Sequence, residues 1–429
     1  MSRNAASPVT AVPVPTVAPA RTPAAAPAGG LRAADSARRR TSASAVLRSV
    51  LEHGPVARST IARLTGLSPA SVTNYCARFT RLGLLSEAPG PLRSNSVGRP
   101  HIPVDVDGSR LLVGGVHVAV PYTTVALLDL RGQVIEQRRL PHDGTEPGRV
   151  LARAAEGLDA LLAERPAGTT PLGVGVATGG WVDRDSGTVV EHALLGWRDV
   201  AVRDVLGRHT GLPVHVDSHS RALANGERLF GHARTGQSVL HLFVGNVVDA
   251  AFATNDQVHY GPRSQAGAIA HLPVAGGTQR CRCGRTGCLQ AEVSELTLCR
   301  RACEAGVIAV PDPLLLVEAA RDGNAVAVRL LVERARLVGR AIGLLLDVLD
   351  PDAVVVVEVG VIHRADCLAA LREEAGAHTS AVVDVAKVVI PTSFPESVLA
   401  MAGGSVALDV LYRDPLGVSG AMVAADRAG

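Results

Sequence analysis

Residues 267–290 read GAIAHLPVAGGTQRCRCGRTGCLQ. One histidine, His271, stands ten residues ahead of a tight cluster, Cys281-x-Cys283-x4-Cys288. Three thiolates and one imidazole complete a tetrahedral zinc shell and leave no position open for water. Such a closed shell holds structure and does no chemistry. Gly284 and Gly287 allow so short a loop to fold back until all three sulfurs face one point. Ordinary buried or reactive thiols are the alternative. Zinc is preferred because these donors match its softness, and because a seven-cysteine intracellular chain has little use for disulfides. The expected cofactor is therefore one structural Zn2+ on His271, Cys281, Cys283 and Cys288. The remaining cysteines, Cys76, Cys299, Cys303 and Cys367, read as buried apolar residues.

This segment resembles the signature of the ROK family (repressors, open reading frames, sugar kinases). There Gly-Glu-x-Gly-His is followed, after a similar spacer, by Cys-x-Cys-Gly-x-x-Gly-Cys-x-Glu. The resemblance runs from about Thr41 to Gly417. It implies a two-lobed α/β body of the actin-like (RNase H-like) ATPase fold with a cleft between the lobes. The match is specific in the metal ligands and departs elsewhere.

At 429 residues the chain has room for two or three domains. Aromatics make up only 3%, so the cores must be built from Val, Leu, Ile and Ala. Lys387 is the only lysine; every other basic side chain is arginine. The net charge of +3 is unevenly spread. Arg32 to Arg110 holds twelve arginines against five acids, an excess of seven that leaves the rest of the chain at −4. A basic module on a mildly acidic body suits a polyanion partner at the front end only. No apolar run reaches bilayer length, so no membrane partner is expected. Residues 1–35 are rich in Ala and Pro and read as a disordered arm, because Pro8, Pro13, Pro15, Pro19, Pro23 and Pro27 break any signal-peptide core. The expected location is cytoplasmic.

Residues 36–108 carry three short helical patterns. The first covers about Ser42–His53, with Val46, Leu47, Val50 and Leu51 on one face, and Gly54-Pro55 stops it. A second runs from about Ser59, as N-cap, to Thr65, ended by Gly66. The third starts after the N-cap Ser68 with Pro69 at its first position. Its inward stripe is Val72, Cys76, Phe79 and Leu82; its outward face offers Ser71, Thr73, Asn74, Arg78 and Arg81. Two short strands follow, Leu84–Glu87 and Ile102–Val106. Together these predict a winged helix-turn-helix; a small helical bundle with a solvated face is the plainer reading. Arginines would neutralise phosphates, while Asn74 suits adenine and Arg78 suits guanine in the major groove. The extended Val97-Gly98-Arg99-Pro100 could place Arg99 in a narrow minor groove, or be a solvated linker. The same tripeptide joins head to body in ROK repressors.

From residue 109 to 417 the periodicity changes. Strands are predicted at Leu111–Val120, Thr124–Leu130, Gln133–Gln137, Pro171–Thr178 and Val214–Asp217, with helices at Arg149–Glu164 and Ser220–Phe230. A second set follows: strands Val239–Gly245, Val247–Thr254 and Gln257–Tyr260, the zinc loop 271–288, helices near Glu292–Glu304, Pro313–Asp322 and Ala325–Leu349, then strand Ala353–Val357. Strand triplets followed by alternating elements, occurring twice, predict two α/β lobes. Residues 418–429 form a tail.

The family's kinases need an Asp-x-Gly-x-Thr turn, a Gly-Thr-Gly-x-Gly loop, a Glu-Asn-Asp-Ala stretch and a Gly-Gly loop. The first falls on His117-Val118-Ala119-Val120-Pro121, without carboxylate or turn glycine. In place of the second stands Gly245-Asn246-Val247-Val248-Asp249, branched where an anion must approach and acidic where it would sit. The third is Asp217-Ser218-His219-Ser220, leaving His219 where the general base belongs. Of the last, Glu358-Val359-Gly360 keeps one glycine. With both nucleotide loops spoiled a base has no phosphoryl donor to serve. No enzyme activity and no ATP binding are expected. The sugar-binding glutamates are replaced by Ala268 and Gln290, so Asp217, Ser218, His219 and Gln290 line either a polar effector cleft or an ordinarily packed one.

The expected function is sequence-specific DNA binding by a transcriptional regulator, a repressor, working as a homodimer or higher oligomer on an operator. A small-molecule effector, sugar or other metabolite, would gate it. The alternatives are an ATP-dependent sugar kinase and a constitutive DNA-binding protein.

Overall fold

The computed structural model describes residues 29–88, 102–232, 236–255, 257–380 and 384–418. The chain divides into two compact units, Met1–Arg39 and Arg40–Gly429. Most of the predicted arm, the segment carrying Arg99, and the tail from residue 419 lie outside the described residues.

Three helices open the chain: α1 (Gly29–His53), α2 (Arg58–Thr65) and α3 (Pro69–Arg81). α1 begins well before the expected Ser42, inside the stretch read as arm. Residues 31–41 are rich in Ala and Arg, strong helix formers, but their apolar periodicity starts only at Val46. α2 is preceded by Ala57 with no side-chain cap, so Ser59 lies inside the helix. Gly66 ends it at φ 67°, as expected. Ser68 does cap α3, accepting from the Ser71 amide at 3.2 Å. Val46, Val50, Ile61, Val72, Cys76, Phe79 and Leu84 are fully buried between these helices. β1 (Leu85–Glu87) and β2 (Val104–Val106) pair antiparallel, with Leu85 opposite Val106.

The first lobe contains β3 (Leu111–Val118), β4 (Tyr122–Asp129), β5 (Val134–Pro141), α4 (Pro147–Ala163) and β6 (Thr170–Thr178). β7 (Trp181–Asp183), β8 (Thr188–His192), β9 (Trp197–Val200), α5 (Val202–Thr210), β10 (Val214–Ser218) and α6 (His219–Phe230) complete it. Its main sheet runs β10-β6-β3-β4-β5, parallel up to β3 and antiparallel beyond. The separate β7-β8-β9 sheet was not anticipated from sequence. Its strands are three to five residues long, too short to show a period.

In the second lobe lie β11 (Val239–Val244), β12 (Val248–Thr254), β13 (Gln257–Val258), α7 (Leu289–Val293), α8 (Glu295–Glu304), α9 (Pro313–Arg321) and α10 (Ala325–Leu349). Then come β14 (Ala353–Glu358), α11 (Val359–His363), α12 (Ala365–Ala377), α13 (Val385–Val388), β15 (Val389–Pro391) and α14 (Val398–Arg413). The sheet order β13-β12-β11-β14-β15 repeats the pattern of the first. The helix expected over Glu292–Glu304 is two helices, broken where extended Ser294 caps α8.

α14 crosses back to the first lobe's sheet. A Cβ on Gly115 would lie 2.7 Å from the Gly404 amide, and one on Gly175 would lie 2.2 Å from the Gly403 carbonyl, so only glycine permits this approach. α14 also joins the head's core: Met401, Leu408, Leu411 and Tyr412 share one apolar cluster with Val46, Leu47 and Val50 of α1. The Ser44 hydroxyl donates to the Tyr412 carbonyl at 2.6 Å. The helical head and the body thus pack through one continuous core.

Candidate functional site

Thr73, Asn74, Arg78 and Arg81 are exposed on α3, and Ser71 is half-buried. Val72, Cys76 and Phe79 face the core and anchor the helix from behind. Pro69 and the Ser68 cap fix its N-terminus. Arg63 of α2 is also exposed. The face is therefore polar, basic and rigidly backed, the form a recognition helix needs.

In the 271–288 loop, one donor atom from each of His271, Cys281, Cys283 and Cys288 lies within 4.8 Å of all the others. Left-handed Gly284 (φ 89°) and Gly287 (φ 76°) make the turns that gather them. The Cys281 amide donates to the Arg285 carbonyl at 2.8 Å, closing the knuckle. Cys283 Sγ lies 3.7 Å from Cys288 Sγ, and Cys281 Sγ lies 3.6 Å from His271 Nδ1. A tetrahedral metal with ~2.3 Å sulfur bonds has an S···S edge of about 3.8 Å, so the donors fit a metal ion. Arg285 Nε donates to Cys283 Sγ at 3.5 Å and holds that thiol low, at about 6.

A cleft of about 870 Å³ opens between the lobes beside this loop. Of the residues expected to line it as a polar site, Ser218 and Gln290 border the cleft, while Asp217 and His219 are buried and do not, and all four are engaged by other protein groups. Asp217 Oδ1 accepts from Arg221 Nε at 2.6 Å and from the Ser218 amide at 2.7 Å, while Oδ2 accepts from the Tyr260 hydroxyl at 3.2 Å. The Ser218 hydroxyl caps α6. His219 is buried and bonds Asp249 Oδ1 at 2.9 Å, and Ser220 donates to the same oxygen. Gln290 Oε1 accepts from the Val248 amide at 2.7 Å, and its Nε2 donates to the Asn246 carbonyl. Where a phosphate loop would stand, the β11–β12 turn is thus clamped by Gln290. Asn246 Nδ2 ties it to the Val120 carbonyl at 2.7 Å, and a Cβ on Gly179 would sit 2.8 Å from Val247. At the adenine end, Glu358 is buried against Arg334 and caps α11.

Sequence reasoning missed a group of buried imidazoles around His219. His117 Nε2 lies 3.4 Å from His219 Nδ1, and Phe243 stacks on His219 at 4.0 Å between ring centres. His192 and His241 are also buried. Among the described residues, His117 Nδ1, His192 Nε2 and both nitrogens of His241 have no hydrogen-bond partner. Burial, helped by the nearby His219, pushes His192 down to about 4 and His241 to about 3, and lowers His117 as well. β3 and β11 are buried along both faces, so no alternation singles out His117 or His241, and the convergence of these residues from separate lobes could not be read locally.

Residues 113–403 match the ROK family, and the chain belongs to it. A transcriptional regulator of Mycobacterium tuberculosis is 34% identical over 394 residues, 88% of this chain and 87% of the relative. A xylose repressor of Caldicellulosiruptor bescii is 25% identical over 72% of this chain and 81% of its own length. The crystal structure of a ROK family transcriptional regulator, a homologue of the E. coli MLC protein, superposes with a TM-score of 0.73 at 20% identity, over 89% of this chain and 99% of that one. The described body has the two-lobed, actin-like fold of solved ROK proteins.

Proposed function

We propose that this chain is a sequence-specific DNA-binding transcriptional regulator, a repressor, whose kinase-like body carries out no phosphoryl transfer. The observation that carries this reading is α3: a capped, core-anchored helix that presents Thr73, Asn74, Arg78 and Arg81 to solvent beside a paired two-stranded wing. Relatives named as regulators and a xylose repressor support it. Ser71 and Arg99 complete the proposed contacts. Residues 36–108 form the head, and 109–417 the body that pairs two heads on a pseudo-palindromic operator as a homodimer or higher oligomer. Occupying the operator blocks transcription.

The inactive body follows from the clamped β11–β12 turn. A phosphate approaching there meets Val247, Val248 and Asp249 in place of free backbone N–H groups. His219 retains a base's chemistry, but its Nε2 is bonded to Asp249. We infer that zinc occupies the His271, Cys281, Cys283 and Cys288 shell. These residues then fix the loop that hands Leu289 and Gln290 to α7, and Gln290 in turn fixes the cleft wall. An effector in the cleft would shift lobe closure, read through α6 and α14 into the core shared with α1.

Genome-wide mapping of bound DNA, followed by anisotropy titration of the recovered sequence, tests this reading. Specific binding that weakens steeply with salt is expected. Indifference to duplex DNA at low ionic strength would sink it. A coupled assay with ATP and common hexoses should show no turnover above background; robust turnover would restore the kinase reading.

A further inference from the structure

The cleft between the lobes has lost the features that suit it to a sugar and gained others. Recognition of vicinal hydroxyls relies on carboxylates and amides free to accept and donate. Asp217 is fully engaged by Arg221, Ser218 and Tyr260. Both ends of the Gln290 amide are spent on the β11–β12 turn. Asp249 accepts from His219 and Ser220, and Glu191 pairs with Arg198 at 3.1 Å. At 268 only a methyl group remains. The walls are instead apolar, with Trp181, Leu194, Val247, Val248 and Leu296 facing the cavity.

Cations line the same space. Arg280, Arg282 and Arg300 all border it. Arg300 reaches Gln279 at 2.6 Å and Glu304 at 3.2 Å, and Arg282 donates to the Ala193 carbonyl at 2.9 Å, leaving other guanidinium donors on each. Among the described residues the Arg280 side chain makes no hydrogen bond or ion pair. Arg221, Arg280, Arg282 and Arg300 border the cleft against two carboxylates, Glu191 and Asp249, so cations outnumber acids on its wall. A guanidinium fork pairs best with a carboxylate, bidentately.

We propose that the inter-lobe cleft binds a small organic carboxylate with an apolar body, and not a sugar, as the regulator's effector. The apolar body lies along Trp181 and the valines of the β11–β12 turn, and the carboxylate meets Arg280 and Arg300. This rests on the regulator reading above, whose effector it names by class.

Trp181 borders the cleft and the chain's other tryptophan, Trp197, is buried, so indole fluorescence of the full-length protein reports occupancy. The probes are octanoate and 3-phenylpropionate, their uncharged alcohols, and glucose and xylose. Saturable quenching is expected with the carboxylates, at least about tenfold weaker with the alcohols, the scale of a lost charge-assisted hydrogen bond, and absent with the sugars. Arg300→Ala and Arg280→Ala should each weaken carboxylate binding about tenfold. Ala268→Glu, which restores a like charge, should weaken it while leaving the fold's circular dichroism intact. Saturation by a sugar, equal binding of acids and alcohols, or no saturation by either acid would overturn the proposal. A parallel anisotropy titration on operator DNA separates the two readings. If the ligand-free protein ignores DNA, the regulator reading fails whatever the quenching shows. If it binds DNA but not the acids, only the effector class fails.

Discussion

His241 lies within the second lobe's sheet, and among the described residues neither ring nitrogen has a hydrogen-bond partner. An imidazole so placed stays neutral in the fold and gains a proton once the chain unfolds. The folded value is depressed, so the unfolded chain binds more protons as pH falls below the ordinary value of 6.5, and stability falls with it. His192 and His117 act in the same direction. Between pH 6.5 and about 4, His192 and His241 should each remove up to about 1.4 kcal/mol per pH unit, and His117 adds to the loss in the same direction. Urea unfolding midpoints measured from pH 7.5 down to pH 5 should therefore drop, and His241→Val should flatten the slope. A pH-independent midpoint would contradict this. A second residue-scale prediction concerns Cys288, the buried member of the metal shell. Cys288→Ser should release the bound metal, read by elemental analysis as a fall from one zinc per chain, and lower the melting temperature. Wild-type protein purified without metal and unchanged in stability by chelator would refute the zinc assignment.

Among the elements, α3 separates stability from recognition most cleanly. Ser68 caps it, so Ser68→Ala should cost about 1 kcal/mol of stability. Asn74 and Arg78 are exposed, so Asn74→Ala and Arg78→Ala should leave the melting temperature alone. Each should cost about 1–3 kcal/mol in operator affinity and relax specificity at one base position. Uniform weakening across unrelated sequences, measured by anisotropy, would reassign them to phosphate contacts. The β11–β12 turn shows the other use of an element. Its sequence lacks the glycines of a phosphate loop, but only the fold shows what holds it: Gln290 bonds the Asn246 carbonyl within the turn and the Val248 amide at the start of β12.

Across the whole molecule, one apolar cluster joins α1 and α3 of the head to α14 and the first lobe's sheet. Cooperative units follow such shared cores. Head and first lobe should melt in a single calorimetric transition, and Leu408→Ala, at the shared core, should lower it by an amount corresponding to about 2–5 kcal/mol. An independent head transition that survives this substitution would show the two to be energetically separate. The same continuity would give the proposed effector a physical route from the cleft to α1, because packed interiors pass on displacement with little compliance.

Much of this was legible one segment at a time. The helix-turn-helix follows from apolar spacing, a capping serine and a helix-initiating proline. The gathering of His271, Cys281, Cys283 and Cys288 follows from four donors at short separation, and the altered β11–β12 turn from glycines replaced by branched or acidic residues. Each depends on residues close in the chain, where backbone geometry alone fixes what can meet. The β7–β9 sheet pairs residues near in the chain, but its strands are too short to show a period. The buried imidazoles gathered from β3, β8, β11 and α6, the bond from Tyr260 to Asp217 and the engagement of Gln290 bring together residues from distant parts of the chain. Hydrogen bonds and burial are satisfied in space, so only the folded chain decides which polar side chains stay free for a ligand and which are already taken.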